Sequence, residues 1–242
     1  MQKILGYMRK AIQQYDMIQN GDKIAVGVSG GKDSLMLLAC LISQRRFLGI
    51  DFDIAAITID PRFGGVEGDY SSVAEYCEKN AVEYRIERTD IGQIVFDIRK
   101  EPNPCSLCAK MRRGALHGAA KEMGCNKLAL GHHNNDAVET FVMNLLNEGR
   151  IGCFAPVSYL DRRDITVIRP MVLAPEKEII RAARKIDIEV IKSRCPADGH
   201  TSRQETKEFL ADLEKKYKGV NDRIFGAMQR ADINGWGIKN CK

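Results

Sequence analysis

KIAVGVSGGKDSLMLLACLISQ, residues 23–44, runs from a short apolar stretch through two glycines into a longer apolar stretch. KIAVGV has the length and content of a buried strand, and SLMLLACLISQ those of an apolar helix opening near Ser34. Between them, Ser29, Gly30 and Gly31 can adopt backbone angles closed to bulkier residues and turn several amides toward one point. The helix adds the positive end of its dipole, Lys32 a full charge, and Ser29 and Ser34 two hydroxyls. Such a turn, at the carboxyl end of a first strand, suits phosphate oxygens, where open α/β sheets bind ligands. Neither the Walker spacing nor the dinucleotide glycine pattern is present.

The same alternation continues outward. Ile4, Leu5, Met8, Ile12, Tyr15 and Ile18 fall at helical spacing before NGD. FDIAAITID predicts a second strand ending at Asp60, followed by the loop PRFGGVEGD and a helix through about Asn80. EYRIERT alternates as a third strand, and GQIVFDIRK is helical. The proline-bounded loop EPNPCSLC opens the helix AKMRRGALHGAAKEMG. KLALG is a fourth strand leading into HHNNDAVETFVMNLLNEGR, a helix in which Asp136 and Glu139 fit a capping box. ITVIRPM predicts a fifth strand, APEKEIIRAARKIDI a helix with Pro175 in its first turn, and EVIKS a short sixth strand. Strands alternating with helices imply an α/β fold, a doubly wound, mainly parallel sheet with helices on both faces. A single domain of residues 1–242 is expected, with an N-terminal helix over about 1–20 and a helical tail over about 201–242.

The chain has 242 residues, 44% hydrophobic and 29% charged, ample for a real core and unlike a disordered protein. No apolar run reaches the roughly 18–20 residues of a membrane span, and the opening residues do not resemble a signal peptide. A net charge of +5 is compatible with a polyanionic partner without proving one. Eight cysteines without a secretory signal point to a reducing compartment, with the cytoplasm as the default.

Cys105 and Cys108 have the two-residue spacing that lets two thiolates reach one metal, and Cys195 stands in SRCPAD far along the chain. Three readings stay open on the residues alone. They are a zinc site completed by His200 or Cys125, a dithiol cycling through disulfide and persulfide, and a three-cysteine iron–sulfur cluster with one iron open. Cys40, Cys77, Cys125 and Cys153 are expected to be core residues, and Cys241 incidental. His132 and His133 follow the fourth strand, beside the expected nucleotide. Arg112 and Arg113 follow the cysteine pair and Arg194 adjoins Cys195, a distribution that suits a groove reading an RNA backbone.

SGGKDS resembles the Ser-Gly-Gly-x-Asp-Ser signature of the PP-loop ATP pyrophosphatases, at the same strand-to-helix junction. The resemblance implies cleavage of ATP between its α and β phosphates, with AMP passing to a carbonyl or carboxylate oxygen. It assigns Ser29, Gly30, Gly31, Asp33 and Ser34 to the pyrophosphate, Lys32 to the nearby phosphates and Asp60 to the adenosine side. Gly131, His132 and Asp136 join the same ATP site, with Mg2+.

SGGKDS, PCSLC, GHHNNDAVETFVMNLLNEGR, VIRPM and a late cysteine occur in the order shown by the tRNA 2-thiocytidine synthetases. EFLADLEKKYKGVNDRIFGAM looks like that family's ending, so the likeness spans residues 22 to about 229. It implies a 4Fe–4S cluster on Cys105, Cys108 and Cys195, a tRNA substrate, and a sulfur donor such as a cysteine desulfurase or sulfide. It also implies a homodimer. The reaction would adenylate the C2 carbonyl oxygen of a pyrimidine, most simply cytidine, and replace it with sulfur, with Lys32, Asp33 and the three cysteines as the reacting groups. A persulfide relay without a cluster, AMP transfer to a non-RNA substrate, and nucleotide binding without turnover are the rival readings. One position departs from the family's Gly-His-His-x-Asp-Asp: Asn135 replaces the first aspartate, with weaker magnesium binding or altered substrate choice as the expected result.

Overall fold

The computed structural model describes residues 1–100, 104–186, 188–197 and 202–238. β1 (Asp22–Gly27) lies between β2 (Phe52–Asp60) and β4 (Lys127–Ala129), parallel to both. β3 (Glu83–Arg88) extends the sheet beyond β2, and β6 (Ile165–Ile168) beyond β4, again in parallel. The sixth strand, β5 (Val157–Leu160), runs antiparallel at the edge, giving the order β3-β2-β1-β4-β6-β5. The direction of strand succession reverses between β1 and β4, which opens a crevice at their carboxyl ends.

Alternation along the strands divides the interior in two. Ile24 and Val26 of β1, with Ile54 and Ala56 of β2, face one core. Ala25, Ala55, Ile57 and Ile59 face the other. The first core is covered by α1 (Gln2–Gln14), α2 (Lys32–Gln44), α3 (Ser71–Lys79), α6 (Asn134–Glu148), α7 (Glu176–Ala183), α8 (Ser202–Lys216) and α9 (Val220–Arg230). The second is covered by α4 (Ile91–Gln93) and α5 (Pro104–Glu122). A sheet shielded on both faces explains the nearly unbroken apolar runs of β1 and β2. Trp236 closes the first core: it is fully buried, donates Nε1–H to the Phe154 carbonyl at 2.7 Å and lies edge-on to Phe225.

Doubly wound α/β architecture is what the alternation predicts, with local corrections. ITVIRPM supplies β6 rather than the fifth strand, because VSYL, only four residues long and lacking a fully buried face, is itself a strand. EVIKS forms no strand. Its backbone makes one contact that matters here, Ile191 N–H to the Gly30 carbonyl at 2.9 Å, instead of a ladder. The helix after Pro175 stops at Ala183. The capping box of α6 is His133 with Asp136, not Asp136 with Glu139. Cys105 and Cys108 lie within α5, which starts at Pro104, so they occupy a helix opening rather than a loop. Among the described residues, no helix is long and apolar enough to cross a membrane. His200 and Cys241 lie outside the described residues.

Candidate active site

The turn after β1 depends on two different glycines. Gly30 has φ +81°, and a Cβ built there would lie 2.8 Å from Ile191 Cβ. Gly31 has ordinary extended angles and serves as the N-cap of α2 with no side-chain cap. The first N–H groups of α2 therefore have no partner inside the helix. Ser34 Oγ accepts from the Ser29 N–H at 3.1 Å and donates to the Gly31 carbonyl at 3.0 Å, so this hydroxyl shapes the loop. Gly131, at the end of β4, approaches the same turn: a Cβ there would be 3.1 Å from Asp33 carbonyl atoms and from Ser34 N.

Asp60 ends β2 with its carboxylate buried. One oxygen accepts from the Arg62 N–H at 3.0 Å and the other from the Gly68 N–H at 2.9 Å, which folds the following loop over the strand end. That loop, the glycine turn and the segment around Cys195 enclose a cavity of about 250 Å³. Ser29, Gly31, Asp60, Tyr70, Arg112 and Cys195 all line it. Arg194 lines it too, and its Nη1 donates to the Glu67 carbonyl at 2.9 Å. A larger cavity, about 420 Å³, shares no residue with it and lies against Ser72, Tyr76 and Lys79 of α3.

Cys105 is exposed, Cys108 buried and Cys195 half-buried, and all three are free thiols. Burial pushes the Cys108 thiol up, the Arg112 charge opposes this, and Cys195 and Cys105 push it further. The three thiols thus share one electrostatic neighbourhood. Among the described residues, no three His, Cys, Asp or Glu side chains stand together as a ligand set for a metal ion. Cys125 is not available as a fourth zinc ligand. It is buried near Lys23 and Glu83, at the amino ends of β1 and β3, away from the crevice.

A family model described as the PP-loop domain matches residues 5–211. The chain belongs to the PP-loop family. It is 38% identical over 222 residues to a tRNA-cytidine(32) 2-sulfurtransferase of Pelobacter propionicus, covering 90% of this chain and 82% of the relative. The like-named protein of Citrifermentans bemidjiense is 39% identical over 230 residues, covering 93% and 89%. These likenesses place this PP-loop protein with the tRNA 2-thiocytidine synthetases, as its ordered motifs imply. Among solved structures it is similar to the U34-tRNA thiolase NcsA of Methanococcus maripaludis with its 4Fe–4S cluster. The TM-score is 0.74 at 26% identity, over 94% of this chain and 78% of that one.

Beside the turn, this PP-loop protein carries a charged network. Lys32 Nζ donates to both Asp33 oxygens at 3.0 and 2.9 Å and lies 3.2 Å from Glu176 Oε1. Burial works against its charge, but Asp33 and Glu176 outweigh it and raise the Lys32 pKa, so the ammonium persists at neutral pH. His133 Nδ1 accepts from the Asp136 N–H at 3.3 Å, while its Nε2 lies 3.9 Å from Asp33. Asp136 is fully engaged: Oδ2 accepts the His133 N–H at 2.9 Å and Oδ1 meets Arg203 at 3.0 Å. His132 accepts from Arg169 Nε at 3.3 Å and packs on Phe154. Burial and the Arg169 charge hold its pKa down, to about 3, so the ring is neutral. Arg113 is exposed, its Nε on the Ala109 carbonyl of its own helix, and is not part of the cavity wall that Arg112 and Arg194 share.

Asn135 Oδ1 accepts the Glu176 N–H at 2.9 Å, at the start of α7. Glu176, Lys207 and Ile191 were not singled out by the sequence patterns, whereas Arg203 stands with Arg194 as one of the two arginines flanking Cys195. Glu176 looks like an ordinary acidic residue at a helix start, and the others are brought in by tertiary packing. Glu139 adds a titrating group. Burial, then the Asp136 charge, pushes its carboxyl up from 4.5 to about 7. The folded protein therefore keeps this proton up to about pH 7, whereas the unfolded chain releases it near pH 4.5. Stability falls as pH rises through that window and the loss persists above it. Glu139→Gln is expected to gain stability over the wild type between pH 5 and pH 8, by on the order of 1–3 kcal/mol. Thermal unfolding at the two pH values checks this; an equal difference at both would mean that Arg203 already keeps the carboxylate ionised.

Proposed function

We propose that this protein is an ATP-dependent tRNA sulfurtransferase that converts a cytidine to 2-thiocytidine, at position 32 by likeness to the named relatives. The observation that carries this reading is the cavity in which the glycine turn, Asp60, Arg112 and Cys195 stand on common walls. A nucleotide-activating loop and a sulfur-chemistry thiol have little reason to share one wall unless both act on one substrate.

The chain's residues divide the work. The amides of Gly30, Gly31 and Lys32, with the Ser29 hydroxyl, cradle the pyrophosphate end of ATP, with Ser34 holding the loop through the Ser29 N–H and Asp60 on the adenosine side. Asp33 is the carboxylate of the turn that would hold magnesium brought in with the nucleotide. Gly131 lets the end of β4 close against the turn, and neutral His132, the next residue, packs on Phe154 behind it. A base drawn out of its stack in a single-stranded loop presents its C2 oxygen to the α phosphorus. Pyrophosphate leaves, and the charge developing on it is met by the Lys32 ammonium and the amides. Sulfur then replaces the adenylated oxygen at C2, and AMP departs. Arg112, Arg113 and Arg194 offer charge to the RNA backbone beside this step.

The donor set at the sulfur side is three free thiols in one electrostatic neighbourhood, with the Arg112 cation to offset thiolate charge. This fits a 4Fe–4S cluster on Cys105, Cys108 and Cys195. Thiolates are the soft donors that such clusters take, and Cys105, Cys108 and Cys195 would hold it with one iron left free of protein ligands. When bound, a cluster with one iron free of protein ligands supplies a sulfur nucleophile. The reading includes a cytoplasmic location, a homodimer, and a cysteine desulfurase or sulfide as donor.

Anaerobic reconstitution followed by iron and sulfide analysis, with mass spectrometry of tRNA nucleosides, tests the proposal. Four irons per chain with ATP- and tRNA-dependent 2-thiocytidine, AMP and pyrophosphate is the expected result. Cleavage of ATP to ADP and orthophosphate, or thiolation by a zinc-only preparation, would overturn it.

A further inference from the structure

Lys32 Nζ stands between two carboxylates: it donates to Asp33, whose oxygens lie at 3.0 and 2.9 Å, and pairs with Glu176 Oε1 at 3.2 Å. Asp33 is the next residue in the chain and moves with the turn. Glu176 belongs to α7, and its backbone and side chain are both held by other elements. Its N–H donates to Asn135 Oδ1, on α6, at 2.9 Å. Its two carboxylate oxygens each lie 2.9 Å from Lys207 Nζ, on α8. Glu176 is mostly buried, its side chain 14% exposed.

We infer that Glu176 is a positioning residue for Lys32, fixed from α6 by Asn135 and from α8 by Lys207, so that the ammonium is already aimed when pyrophosphate begins to leave. The inference rests on the reading of Lys32 given above and adds the residues that orient it. Burial opposes ionisation of Glu176, but the Lys207 hydrogen bonds and the Lys32 charge prevail and lower its pKa, so it acts as an anion. Asn135 acquires a reason that involves no metal. The first N–H of α7 has no helical acceptor, and an amide oxygen from α6 satisfies it.

An anion beside a phosphate site gives nothing to ground-state binding, since it repels the triphosphate. Its benefit lies in orienting the cation for the transition state, which belongs in kcat rather than KM. Glu176→Gln keeps the side-chain length and the backbone bond to Asn135 while removing the charge. In holoenzyme with saturating tRNA, this variant is expected to release pyrophosphate about tenfold more slowly, with the KM for ATP unchanged or lower. Lys207→Met is expected to cost less on its own and nothing further in the Glu176→Gln background, because it works through Glu176. Lys32→Ala is measured alongside and is expected to lose more than either. Additive losses from Glu176→Gln and Lys207→Met, a rise in KM with kcat preserved, or a loss matched by a fall in melting temperature would each overturn the inference. An unchanged Glu176→Gln beside a disabled Lys32→Ala overturns the inference alone. A fully active Lys32→Ala overturns it together with the assignment of Lys32.

Discussion

Gly30→Ala is expected to weaken ATP binding about a hundredfold, or close to 3 kcal/mol, the larger of two glycine effects in the same turn. The residue has φ +81°, where an alanine costs about 1–2 kcal/mol. The new methyl would also stand 2.8 Å from Ile191 Cβ and 2.9 Å from its Cδ1, too close to Cβ for a simple rotamer change to relieve. Overpacking of this kind costs roughly another 1–3 kcal/mol. Either the turn flattens, spoiling the amide cradle, or residues 190–195 lift away and break the bond from Ile191 N–H to the Gly30 carbonyl. Both routes damage the cavity, and the second moves Cys195 with it. Gly31→Ala is the control for fold: its backbone is extended, and the nearest atom to a new Cβ is Ser29 Oγ at 3.5 Å. Calorimetric titration with ATP and thermal melts of both variants decide the point. A Gly30→Ala protein with wild-type affinity would show that the conformation of this turn does not matter to the nucleotide.

That contrast shows where the sequence is informative and where it is not. Two adjacent glycines look equivalent in SGGKDS, and only the chain crossing over them separates their roles. The parallel sheet was legible because its signal is local: β1 and β2 are buried on both faces and apolar through their centres, Ile24–Val26 and Ile54–Ile57. The edge strand β5 was not, because a four-residue strand with one exposed face carries almost no pattern. EVIKS misled in the opposite direction. It has strand-like composition, and the tertiary structure uses its extended backbone as a cover for the glycine turn instead of a ladder partner.

The site divides in the same way. Ser29, Gly30, Gly31, Lys32, Asp60 and Cys195 belong to short, distinctive strings, and the fold brings their segments to one crevice. Glu176 and Lys207 sit in ordinary amphipathic helices, where an acidic or basic residue is the default for a solvated face. Their partners are 144 and 31 residues away for Lys32–Glu176 and Glu176–Lys207, by difference of residue numbers, so no local pattern could link them. Asn135 has a partner that a family pattern alone does not reveal. A change from aspartate suggests a lost metal ligand, whereas the oxygen that both side chains share is the atom accepting the α7 N–H.

Cys195→Ala is expected to abolish 2-thiocytidine formation, by at least about a hundredfold, and to lower iron retained after anaerobic reconstitution, while ATP affinity changes by less than about threefold. The side chain lines the cavity, but the turn is shaped by Ser29, Ser34, Gly31 and the Ile191 backbone rather than by the thiol. Nucleotide binding should therefore survive its loss. A cluster held by three thiolates would be left with two, one from the exposed and one from the buried end of the Cys105–Cys108 turn, and its metal exposed to chelators. A persulfide relay makes the opposite demand. Cys105 or Cys108 would carry the sulfur, with the other thiol as its resolving partner, so Cys195 could be replaced without loss of turnover. Full thiolation by an iron-free Cys195→Ala protein would thus retire the cluster and keep the adenylating turn. Loss of iron and thiolation together, with ATP still bound, would tie the two walls of the crevice to one reaction.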